Sequence, residues 1–332
     1  MKEQKIAVIG CGLWGRNIVR NFYNLNALSI VCDIDEENLK KVEETYSGVR
    51  TTKDYNDIIN DPEITGVAVV TPSHTHYKTV KAMLMAGKNV YVEKPISTVA
   101  QEAKDLMDLA EEKGLILMVG HLLLYHPAVN RLKMMIEEGA LGDIVYAQSD
   151  RLNVNYFKND RSVMWDLAPH DVSMISYVTG KEPVRVIGAM GCSSERNNIM
   201  DITHISIEFE GGTIGVISDS WITPKKNVTL LVRGTKATAI LDDTVPVDKL
   251  KIYDNFAPNS PKNIALDYLE IEPLKLECQH FISCCQTGKK ARSDGENGYV
   301  VVSILEEAEK IMLGDKVKQL DKVDFALSRL KK

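Results

Sequence analysis

Gly10-Cys11-Gly12-Leu13-Trp14-Gly15 is the first group in this 332-residue chain whose residue types and spacing could do chemistry. It follows the apolar run Ile6-Ala7-Val8-Ile9 and opens a helical pattern through Ile18, Val19 and Phe22. A GxGxxG turn between a strand and a helix suits a pyrophosphate. Gly10 makes the tight turn, Gly12 has no side chain to obstruct the phosphates, and Gly15 lets helix and strand pack closely. Backbone N–H groups of the turn, those of Leu13 and Trp14 included, then lie at the positive end of the helix. Asp33, eighteen positions after Gly15, closes the run Leu28–Cys32, where a carboxylate accepts hydrogen bonds from the adenine-ribose hydroxyls. Its alternative role is to cap the helix beginning near Glu36, which Asp35 fits better. Ile34, not Arg or Lys, adjoins Asp33, so a 2′-phosphate would meet a carboxylate without a counter-charge. NAD is therefore expected rather than NADP.

A second group lies on one helix. Asp166, His170, Ser173 and Tyr177 share a stripe, while Leu167, Met174, Ile175 and Val178 share another. An imidazole titrating near neutrality is matched to taking the hydroxyl proton of a secondary alcohol as hydride leaves its carbon, and Asp166 could orient the hydroxyl or the imidazole. The plainer alternative is an i, i+4 helix-surface pair worth a few tenths of a kcal/mol. No third ligand accompanies Asp166 and His170, the six cysteines show no CxxC spacing, and no metal is expected.

The elements that must position these groups change character along the chain. Up to Val119, near-continuous apolar runs (Ile6–Ile9, Leu28–Cys32, Val67–Val70, Val90–Val92, Ile116–Val119) alternate with helical patterns such as Ala100–Lys113. That is a βαβ series with a parallel sheet covered on both faces. After residue 122 one helix, Pro127–Glu138, precedes period-two strands at Ile202–Phe209, Thr213–Ser220, Val228–Val232 and Thr238–Leu241, read as an antiparallel meander. Asn255–Lys262 reads as a surface loop, and helices near Leu274–Gln286 and Gly298–Leu313 complete the pattern. The expected fold is an α/β Rossmann domain over 1–121 and an α+β domain with an open, mostly antiparallel sheet over 122–332. The two C-terminal helices are candidates to pack back on the first domain.

With 44% hydrophobic and 26% charged residues the composition is that of a globular protein. A net charge of -6 offers no basic field for nucleic acid, and no apolar stretch is long enough to span a bilayer. Neither partner is expected, and a start without a signal core points to the cytoplasm. A sheet covered by few helices leaves an apolar face, so a homo-oligomer, dimer or tetramer, is expected.

Thr71-Pro72-Ser73-His74-Thr75-His76, Glu93-Lys94-Pro95 and Trp165-Asp166-Leu167-Ala168-Pro169-His170-Asp171, in this order behind the glycine turn, resemble the glucose-fructose oxidoreductase, inositol dehydrogenase and rhizopine catabolism (Gfo/Idh/MocA) family. The likeness spans nearly the whole chain. It implies that Lys94 lies beside the nicotinamide ribose and the substrate, with Asp166 and His170 on the opposite wall. It also implies that Thr71, Pro72 and His76 pass the nicotinamide half of the cofactor. Lys94 would then stabilise an alkoxide and His170 would be the base. The alternative for Lys94 is a solvated loop lysine. His121, Tyr125 and His126 follow the last parallel strand where doubly wound sheets face their ligands, and substrate contact by Tyr125 is expected there, against a capping or helix-start role. Arg151, with Asn153 and Tyr156 nearby, would suit an anionic substrate group.

Within the family, Asp166–Asp171 looks most like the branch that oxidises the 3-hydroxyl of UDP-N-acetylglucosamine or its uronic acid. A free polyol or aldose would use the same acid-base set. A non-catalytic dinucleotide-binding regulator is the third reading, against which the retention of Lys94, Asp166 and His170 argues.

Overall fold

The computed structural model describes residues 4–154, 161–194, 199–264 and 271–330, the side chains of 257–258 and 315–330 aside. Tyr156 lies outside the described residues. Contacts divide the chain into two compact units, one of residues 1–127 with 267–302, the other of 128–266 with 303–332. The division is discontinuous, where the sequence suggests a single break at 121/122.

In the first unit the order is β1 (Ile6–Ile9), α1 (Gly15–Asn24), β2 (Leu28–Cys32), α2 (Glu36–Thr45), β3 (Arg50–Thr52), α3 (Asn56–Ile59), β4 (Gly66–Val69), α4 (His76–Met85), β5 (Asn89–Glu93), α5 (Ala100–Glu112) and β6 (Leu117–Gly120). The strands form one parallel sheet ordered β3-β2-β1-β4-β5-β6, the doubly wound arrangement. β1, β4 and β6 are buried at every position, as expected of strands covered on both faces. β3 has no apolar residue and lies at the sheet edge, which is why hydrophobic runs do not reveal it. Order reverses between β1 and β4, so the turns after these two strands flank the crevice in which such sheets bind ligands.

The chain continues through α6 (Pro127–Glu137), β7 (Ile144–Val154), α7 (Val163–Thr179), β8 (Pro183–Cys192), β9 (Ile202–Phe209), β10 (Thr213–Ser220), β11 (Ile222–Gly234), β12 (Ala237–Asp242), β13 (Leu250–Asp254), β14 (Ala257–Asn263), α8 (Pro273–Thr287) and α9 (Gly295–Leu330). α8 belongs to the first unit, and α9 begins there and passes into the second at Ser303. The second unit holds an eight-stranded sheet ordered β14-β13-β12-β11-β7-β10-β9-β8.

Two sequence expectations need correction in this sheet. The meander is interrupted, because β7 inserts between β10 and β11 and runs parallel to β10, every other pairing being antiparallel. Local turn signals cannot reveal a partner arriving from sixty residues upstream. Asn255–Lys262 is not a loop either. Ala257–Asn263 forms the edge strand β14, where a proline is tolerated because one side of the strand has no ladder to donate to.

Candidate active site

The glycine turn is built by contacts that exclude side chains. Gly10 has φ +93°, and a Cβ there would lie 2.7 Å from the Val70 carbonyl oxygen at the end of β4. A Cβ on Gly15 would strike the Gly10 carbonyl, whereas one on Gly12 would meet nothing within 4 Å. Two glycines therefore serve the packing of β1, β4 and α1, and the third leaves open space. α1 has neither a side-chain cap nor an acid in its first turn, so its positive end is suited to phosphate. Leu13 is exposed and Trp14 half-exposed at that end.

Asp33 braces this turn as well as standing beside it. One carboxylate oxygen accepts from the Cys11 N–H at 2.7 Å and the other from the Asp35 N–H at 2.9 Å. The α2 cap is Asp35, which accepts from the Glu37 N–H. The residues present thus fit a dinucleotide, with the glycine turn for the pyrophosphate and Asp33 for the adenine ribose.

Glu93, Lys94 and Pro95 leave the end of β5 through a cis Lys94–Pro95 peptide. Lys94 is half-buried. Glu93 is buried, accepts from Trp14 Nε1 at 2.6 Å and from the Tyr91 hydroxyl at 2.9 Å, and so ties the lysine segment to the glycine turn. Burial pushes its carboxyl above the usual range, while Trp14 and Lys94 act in the opposite direction. At the neighbouring strand end His121 is 1% exposed, with neither ring nitrogen hydrogen-bonded among the described residues. Burial and the Lys94 charge lower its pKa from 6.5 to about 3, so the ring is neutral.

His76 differs from expectation. It is 1% exposed, with Nδ1 2.8 Å from the Pro95 carbonyl and Nε2 2.7 Å from the Thr71 carbonyl. It braces the Thr71–Pro72 and Lys94–Pro95 segments against each other from beneath. Thr71, half-buried, shares a 2.7 Å hydrogen bond with the Thr75 hydroxyl, and Pro72 is exposed. Tyr125 is also placed differently. It is 3% exposed, with the Arg292 guanidinium 4.9 Å from its ring centroid and the His280 ring at 5.6 Å, so it packs the 273–302 segment against the 1–127 part of the same unit.

In the second unit Asp166 is buried and His170 half-buried, one turn apart on α7, which lies against β7, β9 and β10. The helix is buried nearly all round, so the polar stripe is set among packed residues and is not a solvated face. Arg151 of β7 is not a free anion clamp. Its Nε and Nη2 donate to the two oxygens of Asp171 at 3.1 and 2.9 Å, and Ser149 Oγ donates to the same carboxylate at 2.6 Å. Asp171 is fully buried, so Arg151 compensates a charge that the helix places in the core. Among the described residues no cluster of three His, Cys, Asp or Glu could hold a metal.

Residues 4–121 match the model of an oxidoreductase family with an NAD-binding Rossmann fold, and residues 129–240 match that family's GFO/IDH/MocA C-terminal domain. The chain belongs to the GFO/IDH/MocA family. It is 25% identical to a UDP-N-acetylglucosamine 3-dehydrogenase of Acidithiobacillus ferrooxidans over 312 residues, 91% of this chain and 95% of that protein. It is equally 25% identical to a scyllo-inositol 2-dehydrogenase (NAD(+)) of Bacillus subtilis, over 86% of this chain and 87% of that one. A solved structure of the Acidithiobacillus ferrooxidans enzyme superposes with a TM-score of 0.83 at 23% identity, covering 94% of this chain and 98% of that chain, a likeness of fold. As a member of this family the protein is an NAD(P)-binding oxidoreductase.

Tyr91 and Glu277 belong to no motif, and Asp171, the last residue of the Trp165–Asp171 motif, has a supporting role that the motif does not reveal. Tyr91 and Glu93 are two apart on a strand and so point the same way, a signal available in the sequence. Glu277 occupies a position in the otherwise apolar i, i+3, i+4, i+7 stripe Leu274, Glu277, Cys278, Phe281, all buried in α8. A lone acid on an apolar stripe was the available sign.

Proposed function

We propose that this GFO/IDH/MocA protein is an NAD-dependent dehydrogenase of a sugar secondary alcohol, acting at C3 of a nucleotide sugar such as UDP-N-acetylglucosamine or its uronic acid. The observation that carries this reading is the similarity to a UDP-N-acetylglucosamine 3-dehydrogenase, which runs through 91% of the chain and so through both units that hold Lys94, Asp166 and His170. A free polyol is the second reading, favoured by the comparable similarity to the inositol enzyme.

The glycine turn and Asp33 would hold the dinucleotide, and bound nicotinamide supplies the hydride acceptor. The chain's own residues do the rest. His170 takes the hydroxyl proton, Lys94 stabilises the negative charge that develops on oxygen, and Asp166 orients the hydroxyl or the imidazole. His76 acts one step removed, by fixing the loop that carries Lys94. We place the enzyme in the cytoplasm as a homo-oligomer, without nucleic-acid or membrane partners. No helix among the described residues is long and apolar enough to cross a membrane.

The test is turnover of NAD with UDP-N-acetylglucosamine, its uronic acid, inositols and free aldoses, in wild type and in Lys94→Ala and His170→Ala. Nucleotide sugars are expected to turn over fastest. His170→Ala should lower kcat by roughly 10²–10⁴-fold and Lys94→Ala by about 10²–10³-fold, with NAD affinity within a few-fold of wild type. Near-normal turnover in His170→Ala removes it as the base. Inositol preferred over every nucleotide sugar overturns the substrate, and NAD binding without turnover of any substrate leaves the regulator.

A further inference from the structure

Beneath the turn that carries Trp14, two carboxyl groups from distant parts of the chain meet one phenol. Tyr91 is fully buried, and its hydroxyl oxygen lies 2.9 Å from Glu93 Oε1 and 3.2 Å from Glu277 Oε2. Glu277 is fully buried on α8, and its Oε1 has no partner among the described residues. Gly120 makes the room, since a Cβ there would stand 2.6 Å from the Tyr91 hydroxyl and 3.2 Å from the Glu93 carboxyl. Phe281, one helical turn beyond Glu277, packs edge-on against the Tyr91 ring with centroids 6.0 Å apart.

A tyrosine hydroxyl has one hydrogen and donates once. If both carboxylates were ionised, this one hydrogen would have to serve two like charges facing one phenol oxygen in the core, and Glu277, which among the described residues has no other donor, would be a bare charge whenever the hydrogen turned to Glu93. One of the two acids therefore carries a proton. Glu93 already accepts from Trp14 Nε1 at 2.6 Å and, more weakly, from the Lys94 N–H at 3.3 Å, as an ionised carboxylate would. Among the described residues Glu277 has only the phenol.

We infer that Glu277 is a protonated acid that donates to the Tyr91 hydroxyl, and that the chain Glu277 to Tyr91 to Glu93, which Trp14 meets from the other side, positions the glycine turn and the Lys94 segment for the dinucleotide. Burial and the neighbouring Glu93 charge push the Glu277 carboxyl well above its usual range, in keeping with this assignment. Glu277 and Tyr91 are positioning residues, since neither belongs to the turn that would touch the cofactor. The inference rests on reading the Gly10–Gly15 turn as the pyrophosphate cradle.

Two measurements test it. In the infrared, wild type minus Glu277→Gln should show the carbonyl stretch of a protonated carboxylic acid. No such band, or a band unchanged in Glu277→Gln, overturns the protonation. In calorimetry, Tyr91→Phe should raise the Kd for NAD about tenfold, the worth of one hydrogen bond to a charged group. Glu277→Leu should do the same, while Glu277→Gln, which keeps a neutral donor, should bind several-fold more tightly than Glu277→Leu. Equal affinities across these three variants and wild type overturn the positioning role. Gly12→Ala separates the two ideas, because retained NAD affinity in that variant sinks the cradle reading itself, whereas its loss beside unchanged Tyr91→Phe affinity sinks only the hydrogen-bond chain.

Discussion

Asp33 does two things with one carboxylate, and this bears on cofactor choice. It holds the Cys11 and Asp35 amides, and in the function proposed above it also meets the adenine ribose. The exposed Ile34 beside it supplies no counter-charge for a 2′-phosphate. NAD should bind more tightly than NADP, and Asp33→Ser with Ile34→Arg should reverse the preference while also weakening NAD, since the brace on the turn is lost. Calorimetric Kd values for both dinucleotides check this, and an NADP preference in wild type would sink it. His121 gives a second test at this scale. Folded, its ring takes a proton only near pH 3, whereas unfolded it does so near 6.5. Between these values the unfolded chain binds more protons, so stability falls as pH falls below 6.5. From pH 7 to 5.5 this one residue should cost about 1 kcal/mol, and His121→Leu should show a flatter urea midpoint over that range. An equal decline in both proteins would show that the imidazole is not the source. Where the glycine turn, Asp33 and Lys94 stand in the fold, at the ends of β1, β2 and β5, was legible in the sequence from their motif context. Arg151 and Tyr125 were not, because their partners Asp171 and Arg292 are distant in sequence or silent in pattern.

Among elements, legibility followed hydrophobic period. The buried strands β1, β2, β4, β5 and β6 declared themselves as apolar runs, whereas the polar edge strand β3 and the proline-bearing β14 did not. Pairing order was less visible still, since the placing of β7 between β10 and β11 is a long-range choice. The turn between β1 and α1 carries its own prediction. Gly10→Ala forces a side chain onto a positive φ and against the Val70 carbonyl, so it should lower stability by about 1–3 kcal/mol. Gly12→Ala meets open space and should leave the melting temperature unchanged while weakening NAD at least tenfold, if phosphate oxygens occupy that space. Thermal melts with and without NAD read both effects. Destabilisation by Gly12→Ala in the absence of NAD would show that the glycine serves packing instead.

At the scale of the whole molecule, β8 at the sheet edge exposes Val184, Ile187 and Met190 at 59%, 48% and 58%. Three large apolar side chains on one edge strand invite association, so light scattering at micromolar concentration should give at least twice the mass of one chain. Ile187→Lys should shift the distribution toward the monomer. A wild-type protein that scatters as one chain refutes the oligomer.

The first unit is assembled from residues 1–127 and 267–302, and the later stretch is structural. It brings Phe281 against Phe22 and Tyr91, and Ser293 onto the backbone of Val119. On the ribosome this has an effect on timing. The parallel strands emerge before residues 128–266, yet Phe22, Tyr91 and the β6 edge stay uncovered while those residues are synthesised, on the order of ten seconds at ordinary elongation rates. The unit that holds residues 1–127 is therefore closed only by a stretch made after all of 128–266. During that interval its open sheet leaves uncovered the kind of apolar surface that chaperones bind, and a pause in translation within 128–266 lengthens the exposure of those strands.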